Sequence, residues 1–244
     1  MSARRPTPEA MVARAIYALA AQADPALRAA DLTALRRLLR RPSARRAAAS
    51  RWQDALIERE IPRGASVLDI GCGGGELLAR LMRDRGVRGQ GIEIDSEAVV
   101  RCVALDVPVL QADAEAGLRS FADGSFDYVV LEETLQTLRT PIHVLEEMLR
   151  VGRFGIVSFP NFGHWRVRLG LALEGRMPVT ENLPYRWYDT PNIHLFTLQD
   201  FLDWADGAGV RVVRGHALVE GRVRPLAPED NLRAAEAMLI IAKS

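Results

Sequence analysis

From residue 66 onward, short apolar runs alternate with longer stretches whose apolar residues share one helical face. The runs near 66–70, 89–94, 107–111, 126–131 and 153–159 predict strands. The stretches near 76–85, 96–105, 141–150 and 198–208 predict helices, and two late strands near 210–219 and 236–242 make seven. Asp123-Gly124 marks a turn before the fourth strand, and Gly152 marks the end of the helix before the fifth. Strand and helix in regular alternation predict an α/β fold, a sheet covered by helices on both faces. The first 62 residues read differently. Ala-rich helical patterns run over about 8–22, 31–41 and 43–60, punctuated by Pro25 and Pro42, with Asp31 as an N-cap. The division expected is a helical extension over 1–62 and an α/β domain over 63–244.

The chemistry is densest after the first strand. Ser-Val-Leu-Asp-Ile runs into Gly71, Gly73 and Gly75, and a helix begins at Glu76. Strand, glycine turn and helix together build a nucleotide-sized crevice at the carboxyl end of a sheet. The dinucleotide fingerprint fails, because Glu76 stands where its third glycine belongs. A carboxylate there would also repel a pyrophosphate on the helix N-terminus. No Gly-Lys-Ser/Thr follows, so the phosphate-cradling loop is excluded as well. The run from Asp69 through Gly71, Gly73 and Gly75 resembles motif I of class I S-adenosylmethionine (SAM) methyltransferases. SAM carries a sulfonium and an amino-acid end and no phosphate, which suits Asp69 and Glu76.

Two more acids follow the next two strands. Glu93 lies 18 residues after Gly75, about the spacing at which an acid reaches a ribose diol. Asp113 follows the third strand, where the resemblance implies an acceptor for the adenine amine. The cofactor set expected is Asp69, Gly71, Gly73, Glu93, Asp113 and, after strand four, Gln136, holding SAM or S-adenosylhomocysteine.

Composition narrows the partners. The 244 residues are 48% hydrophobic with a net charge of +1, which excludes a disordered chain and gives no global attraction to nucleic acid. Residues 1–62 carry 12 Arg against 6 acids, and Arg36, Arg37, Arg40, Arg41, Arg45, Arg46 and Arg51 crowd the second and third helices. That surface suits a solvated basic face, a docking site for an acidic partner, or a lid. No apolar run approaches a membrane span. Arg4 and Arg5 precede an apolar stretch, but Pro6, Pro8, Glu9 and Arg14 interrupt it, which argues against an export signal. Cys72 and Cys102 make no disulfide framework, and a cytoplasmic location is expected. No metal site is expected.

A more specific resemblance lies further on. Glu146 to Arg153, Ser158-Phe-Pro-Asn-Phe-Gly-His-Trp-Arg-Val-Arg168, Gly175 to Thr180 and Leu183 to Leu195 closely resemble the methionine biosynthesis protein MetW family, over roughly 64–215. The resemblance implies a class I methyltransferase fold and a role early in methionine synthesis, beside a homoserine O-acyltransferase whose activity such proteins support. Two departures stand out: the 62-residue start is an addition, and Glu132-Glu133-Thr134-Leu135-Gln136 replaces the family's usual Ser-Gln-Thr-Leu-Gln.

Methyl transfer from SAM requires alignment and, for some acceptors, a base. His164 and Tyr188 are the catalytic candidates, with Asp189 and His194 nearby in the same long connections. Trp165, Tyr185 and Trp187, with Arg166, Arg168, Arg176 and Arg186, suit an apolar pocket for a carboxylate substrate. They equally suit a partner surface. Two functions therefore stay open: a regulatory partner of the acyltransferase, and a stand-alone small-molecule methyltransferase.

Overall fold

The computed structural model describes residues 16–19, 21–22, 52–180 and 182–243. The expected helix over 31–41, the Asp31 cap, all seven arginines of the cluster and residues 43–51 of the expected helix over 43–60 lie outside the described residues, and 16–19 and 21–22 are helical. The elements run α1 (Trp52–Glu60), β1 (Ser66–Ile70), α2 (Glu76–Arg85), β2 (Arg88–Glu93), α3 (Ser96–Ala104) and β3 (Val109–Gln111). They continue with α4 (Ala114–Gly117), β4 (Phe126–Glu132), α5 (Pro141–Val151), β5 (Gly152–Pro160) and α6 (Trp165–Glu174). The chain closes with α7 (Leu198–Gly207), β6 (Val210–Val219), β7 (Arg222–Pro225), α8 (Asp230–Arg233) and β8 (Glu236–Lys243).

Among the described residues, one sheet holds all the strands in the order β3-β2-β1-β4-β5-β8-β6-β7. The first five pair in parallel, with β1 between β2 and β4. Strand order therefore reverses between β1 and β4, and a crevice opens at their carboxyl ends. Strand β8 runs antiparallel between β5 and β6. Its central residues are buried on both faces, which explains the unbroken apolar run Ala237–Ala242. Two core clusters cover the two sheet faces. One packs α5 and α7 through Leu145, Met148 and Phe201, and the other packs α1 and α2 through Ile57, Leu78 and Leu81.

The sheet has eight strands, where the sequence pattern gives seven. The eighth, β7, is a four-residue edge strand reading Arg-Val-Arg-Pro, too short and too charged to show an apolar pattern. It pairs with β6 through a two-residue hairpin, Glu220-Gly221, both with positive φ. That turn matches the right-handed twist of the strands it joins. Arginine and proline suit an exposed edge. Helix α6 also departs from expectation, since the residues after β5 read as loop. Its buried residues, Val167, Leu169 and Gly170, follow no clean helical face, and Gly175 with φ 60° ends it.

Candidate functional site

Gly71, Gly73 and Gly75 all have positive φ, 70°, 55° and 81°. The turn needs glycine at Gly71 for a second reason: a Cβ there would meet Thr134 Oγ1 at 2.9 Å. Gly75 occupies the N-cap of α2 with no side chain to cap it. Cys72 fills the small space inside the turn, where a Cβ on Gly91 would meet its Sγ at 2.4 Å. Its thiol is pushed up by burial first and by Asp69 next, so it is held as the neutral, inert form.

Glu93, the last residue of β2, ties this turn to the sheet. Its Oε2 accepts the Gly73 N–H at 2.9 Å, and its Oε1 accepts the Ile94 and Asp95 N–H groups at 2.7 and 2.9 Å. The sequence of β2 delivers the carboxylate to the crevice, and the backbone fixes its orientation. Beside it opens a cavity of about 370 Å³, lined by Gly71, Ile92–Ile94, Ala112–Glu115, Thr134 and Thr137–Arg139. Ile94 is 65% exposed here, an apolar surface between two acids. Asp113 caps α4 by accepting the Glu115 N–H at 2.9 Å and also lines the cavity. Glu115 accepts the Thr140 N–H at 2.6 Å, and this bond holds its carboxyl below the usual carboxylate range.

A second cavity, about 240 Å³, lies across the short helical turn Leu135–Thr137. Its walls come from four distant segments: Glu133, Gln136 and Thr137; Pro160; Asn182, Pro184, Tyr185, Pro191 and Asn192 of the long loop; and Glu236. Thr137 lines both cavities. Glu236 accepts from Trp52 Nε1, from Gln53 Nε2 at 2.9 Å and from Asn182 Nδ2. Gln53 also donates to Glu133 at 2.9 Å. Glu133 itself sits at φ 50°, left-handed backbone that a non-glycine residue rarely adopts. Asn161, after β5, organises the neighbouring loop. Its side chain donates to the Asn231 and Ala234 carbonyls at 3.1 and 2.8 Å, and accepts from Gly163 and Leu198 N–H groups.

The expected cofactor residues separate. Gly71, Glu93 and Asp113 meet at the first cavity, with Gly73 bonded to Glu93 beside it. Asp69 is buried at the end of β1 and lines neither cavity. Gln136 lines the second cavity. The catalytic candidates stand elsewhere. His164 takes the N-cap position of α6, where burial, then Arg166 and Arg168, push its pKa down to about 3. Tyr188 is exposed and accepts a hydrogen bond from Arg186 at 2.7 Å. Neither lines either cavity.

Comparison with known proteins gives this arrangement a context. The profile of the family described as methionine biosynthesis protein MetW matches residues 51–241. The chain belongs to the MetW family. A bifunctional methionine biosynthesis protein MetXA/MetW from Rhodopirellula baltica is 39% identical over 161 residues, covering 62% of this chain and 26% of that one. A ubiquinone biosynthesis O-methyltransferase from Sodalis glossinidius is 32% identical over 165 residues, 65% of each chain. The chain thus spans about a quarter of the bifunctional relative and just under two thirds of the second. Among solved structures, a SAM-dependent methyltransferase from Thermotoga maritima aligns with TM-score 0.58 at 18% identity, over 79% of this chain and 87% of that one. One from Archaeoglobus fulgidus aligns with TM-score 0.57 at 17% identity, over 78% and 93%. The fold is that of the class I SAM methyltransferases. The MetW match begins at residue 51, and α1 indeed buries Ile57 against Val67 and Leu78 of the α/β core.

Several residues of this MetW-family site escape sequence reasoning. Ile94 carried a signal, an apolar residue at a strand end between acids. Gln53 and Glu236 carried none, because they meet only when α1 packs across the end of β8. Among the described residues, no helix is long and apolar enough to cross a membrane.

Proposed function

We propose that this chain binds SAM or S-adenosylhomocysteine in the first cavity and works in methionine synthesis by supporting or regulating a homoserine O-acyltransferase. The observation that carries the partner is the Rhodopirellula relative, which joins MetXA and MetW portions in one polypeptide. We read its MetXA portion as the acyltransferase. Covalent linkage turns an encounter into an intramolecular event at an effective concentration of roughly millimolar. Fusion is favoured when two modules act on one another, and residues 51–241 of this chain match the MetW family.

The residues of the first cavity suit the nucleoside. Its 370 Å³ falls within the roughly 300–1,000 Å³ of small-molecule sites. Glu93 presents a carboxyl acceptor that backbone bonds hold in place, suited to a ribose hydroxyl. Ile94 supplies an apolar face for the base, and Asp113 an acceptor at its edge. When bound, SAM supplies an activated methyl group and, as the distal product of methionine synthesis, a feedback signal. Glu93 and Asp113 confer binding in either role.

A second reading, methyl transfer to a small molecule, is favoured by the cavity adjoining the first. It would assign the base to His164 or Tyr188. His164 is neutral, as a base must be, but neither residue lines either of the two cavities described, so this reading ranks second. Co-purification with the homoserine acyltransferase of the same genome tests the first reading. A stable complex supports it. Separate elution at micromolar concentrations of both, with and without SAM, counts against it.

A further inference from the structure

Helix α3 carries more apolar surface than the fold uses. The core takes Ala98 and Cys102 from it, at 2% and 0% exposure. Val100 and Val103 stand 67% and 63% exposed, Ala104 is exposed and Val99 is half-buried. Residues 99 and 103, 100 and 103, and 100 and 104 are three or four apart, so these four form one stripe. Apolar residues exposed singly are ordinary, whereas a contiguous exposed patch marks an interaction site. Local propensity gives no reason for the stripe, because valine is a poorer helix former than alanine or leucine.

Two charges indicate what covers it. Glu97 and Arg101 lie four residues apart along one flank of the stripe, and both are exposed. Among the described residues neither takes part in an ion pair. When two copies of α3 pack antiparallel about a twofold axis level with Val99 and Val100, each flank meets its own copy reversed. Glu97 of each copy then faces Arg101 of the other, and the valines close the seam between them. Parallel packing would instead set Glu97 against Glu97. The chain's own first 62 residues, with 12 Arg against 6 acids, would suit Glu97 and oppose Arg101.

The face is presented on a fixed support. Asp95 caps α3 by accepting the Ala98 N–H at 2.7 Å, and Cys102 Sγ donates to the Gly73 carbonyl at 3.2 Å. Glu93 holds the Asp95 N–H at 2.9 Å, which ties the helix to the wall of the first cavity.

We propose that this face of α3 is a self-association surface, on which two copies of the chain meet antiparallel with reciprocal Glu97–Arg101 ion pairs. The nine residues of α3 span roughly 14 Å. A contact that short buries less than the about 1,200–2,000 Å² of a standard interface, so the dimer is weak and exchanges with monomer.

Sedimentation of the full chain from micromolar concentrations to about 0.5 mM tests this. The native chain should show a reversible monomer–dimer equilibrium. Val100→Glu changes an exposed position, so it should keep the fold and abolish the dimer. Two charge reversals add a comparison that does not depend on folding. Glu97→Arg leaves two arginines on the flank, and Arg101→Glu leaves two glutamates. Each alone should dimerise at least about tenfold more weakly, since two exposed ion pairs become two repulsions. Mixed in equal amounts, they restore both pairs and should associate within about threefold of the native affinity.

A native chain that stays monomeric throughout would overturn the proposal. So would a dimer that Val100→Glu leaves intact, or two reversals whose mixture associates no better than either alone. A monomer whose Val100 methyl groups show nuclear Overhauser contacts to residues 1–51 would overturn it and assign the stripe to the chain's own start. A native monomer that binds the acyltransferase and loses it on Val100→Glu would overturn it in favour of that partner. The sedimentation arms need neither nucleoside nor acyltransferase, so their failure is separate from failure of the proposed function.

Discussion

Replacing Glu93 by alanine separates two roles of one carboxylate. In the structure Oε1 accepts two backbone N–H groups and Oε2 accepts one. A carboxylate offers roughly four acceptor positions, so about one remains, on Oε2, for a ligand hydroxyl. A hydrogen bond to a charged group contributes about 1.5–3 kcal/mol. Loss of that one bond predicts affinity for S-adenosylhomocysteine reduced roughly 10- to 150-fold. Folding suffers too, because the Gly73 N–H loses its partner across the turn, while Ile94 and Asp95 are exposed and exchange theirs for water. That cost is of similar size, about 1.5–3 kcal/mol, or roughly 3–12 °C in Tm for a chain of this length. Binding should therefore be measured by calorimetry well below the melting transition. Analogues lacking the 2′- or the 3′-hydroxyl complete a thermodynamic cycle. One of them should bind the native protein at least tenfold more weakly and bind Glu93→Ala no worse than the parent ligand. Glu93→Ala affinity within twofold of native would refute the ribose assignment, whatever happened to Tm.

Three further outcomes are expected. Gly71→Ala must place a Cβ in left-handed backbone at about 1–2 kcal/mol and 2.9 Å from Thr134 Oγ1; Tm should fall by at least roughly 2–8 °C, and adding Thr134→Ala should restore the contact portion only, as read by thermal melts. His164 has a folded pKa lowered to about 3, so its stabilising neutral form is fully present above about 6.5 and stability falls as pH drops from there towards 3; its imidazole NMR signal should not titrate between pH 8 and 5, and a midpoint near 6.5 would contradict its burial. Asp127 accepts the Ser66 N–H and hydroxyl at 2.8 Å, bonds that lower its pKa; its contribution is present above about pH 4 and lost as pH falls through the lowered value. Asp127→Asn should flatten denaturant-measured stability over that acid range.

The alternation of apolar runs and helical faces carried most of the sheet, because strands β1, β4 and β5 are locally apolar and helices α2, α3, α5 and α7 locally amphipathic. Glu93 was legible for the same reason: one strand and one turn place it. Longer-range assembly left no local trace. Strand β7 exists through its pairing with β6, not through its own pattern. Helix α6 buries Val167, Leu169 and Gly170, an arrangement that tertiary packing imposes on a sequence without a clear apolar stripe. The second cavity draws Gln53, Gln136, Asn182 and Glu236 from across the chain, so no spacing rule could bring them together. Gln136 could be placed after strand four from sequence, but the side of the turn it faces depends on the backbone bonds from Ile193 and His194.

We propose that this MetW-family chain acts on a homoserine O-acyltransferase through a SAM site, and acyl transfer measured directly tests that role. The acyltransferase of the same genome is assayed alone and with this chain, each at zero and saturating SAM. The chain is expected to change the acylation rate, SAM to modulate the change, and Glu93→Ala to weaken the modulation. An acylation rate identical in all four conditions, with both proteins folded, would contradict it.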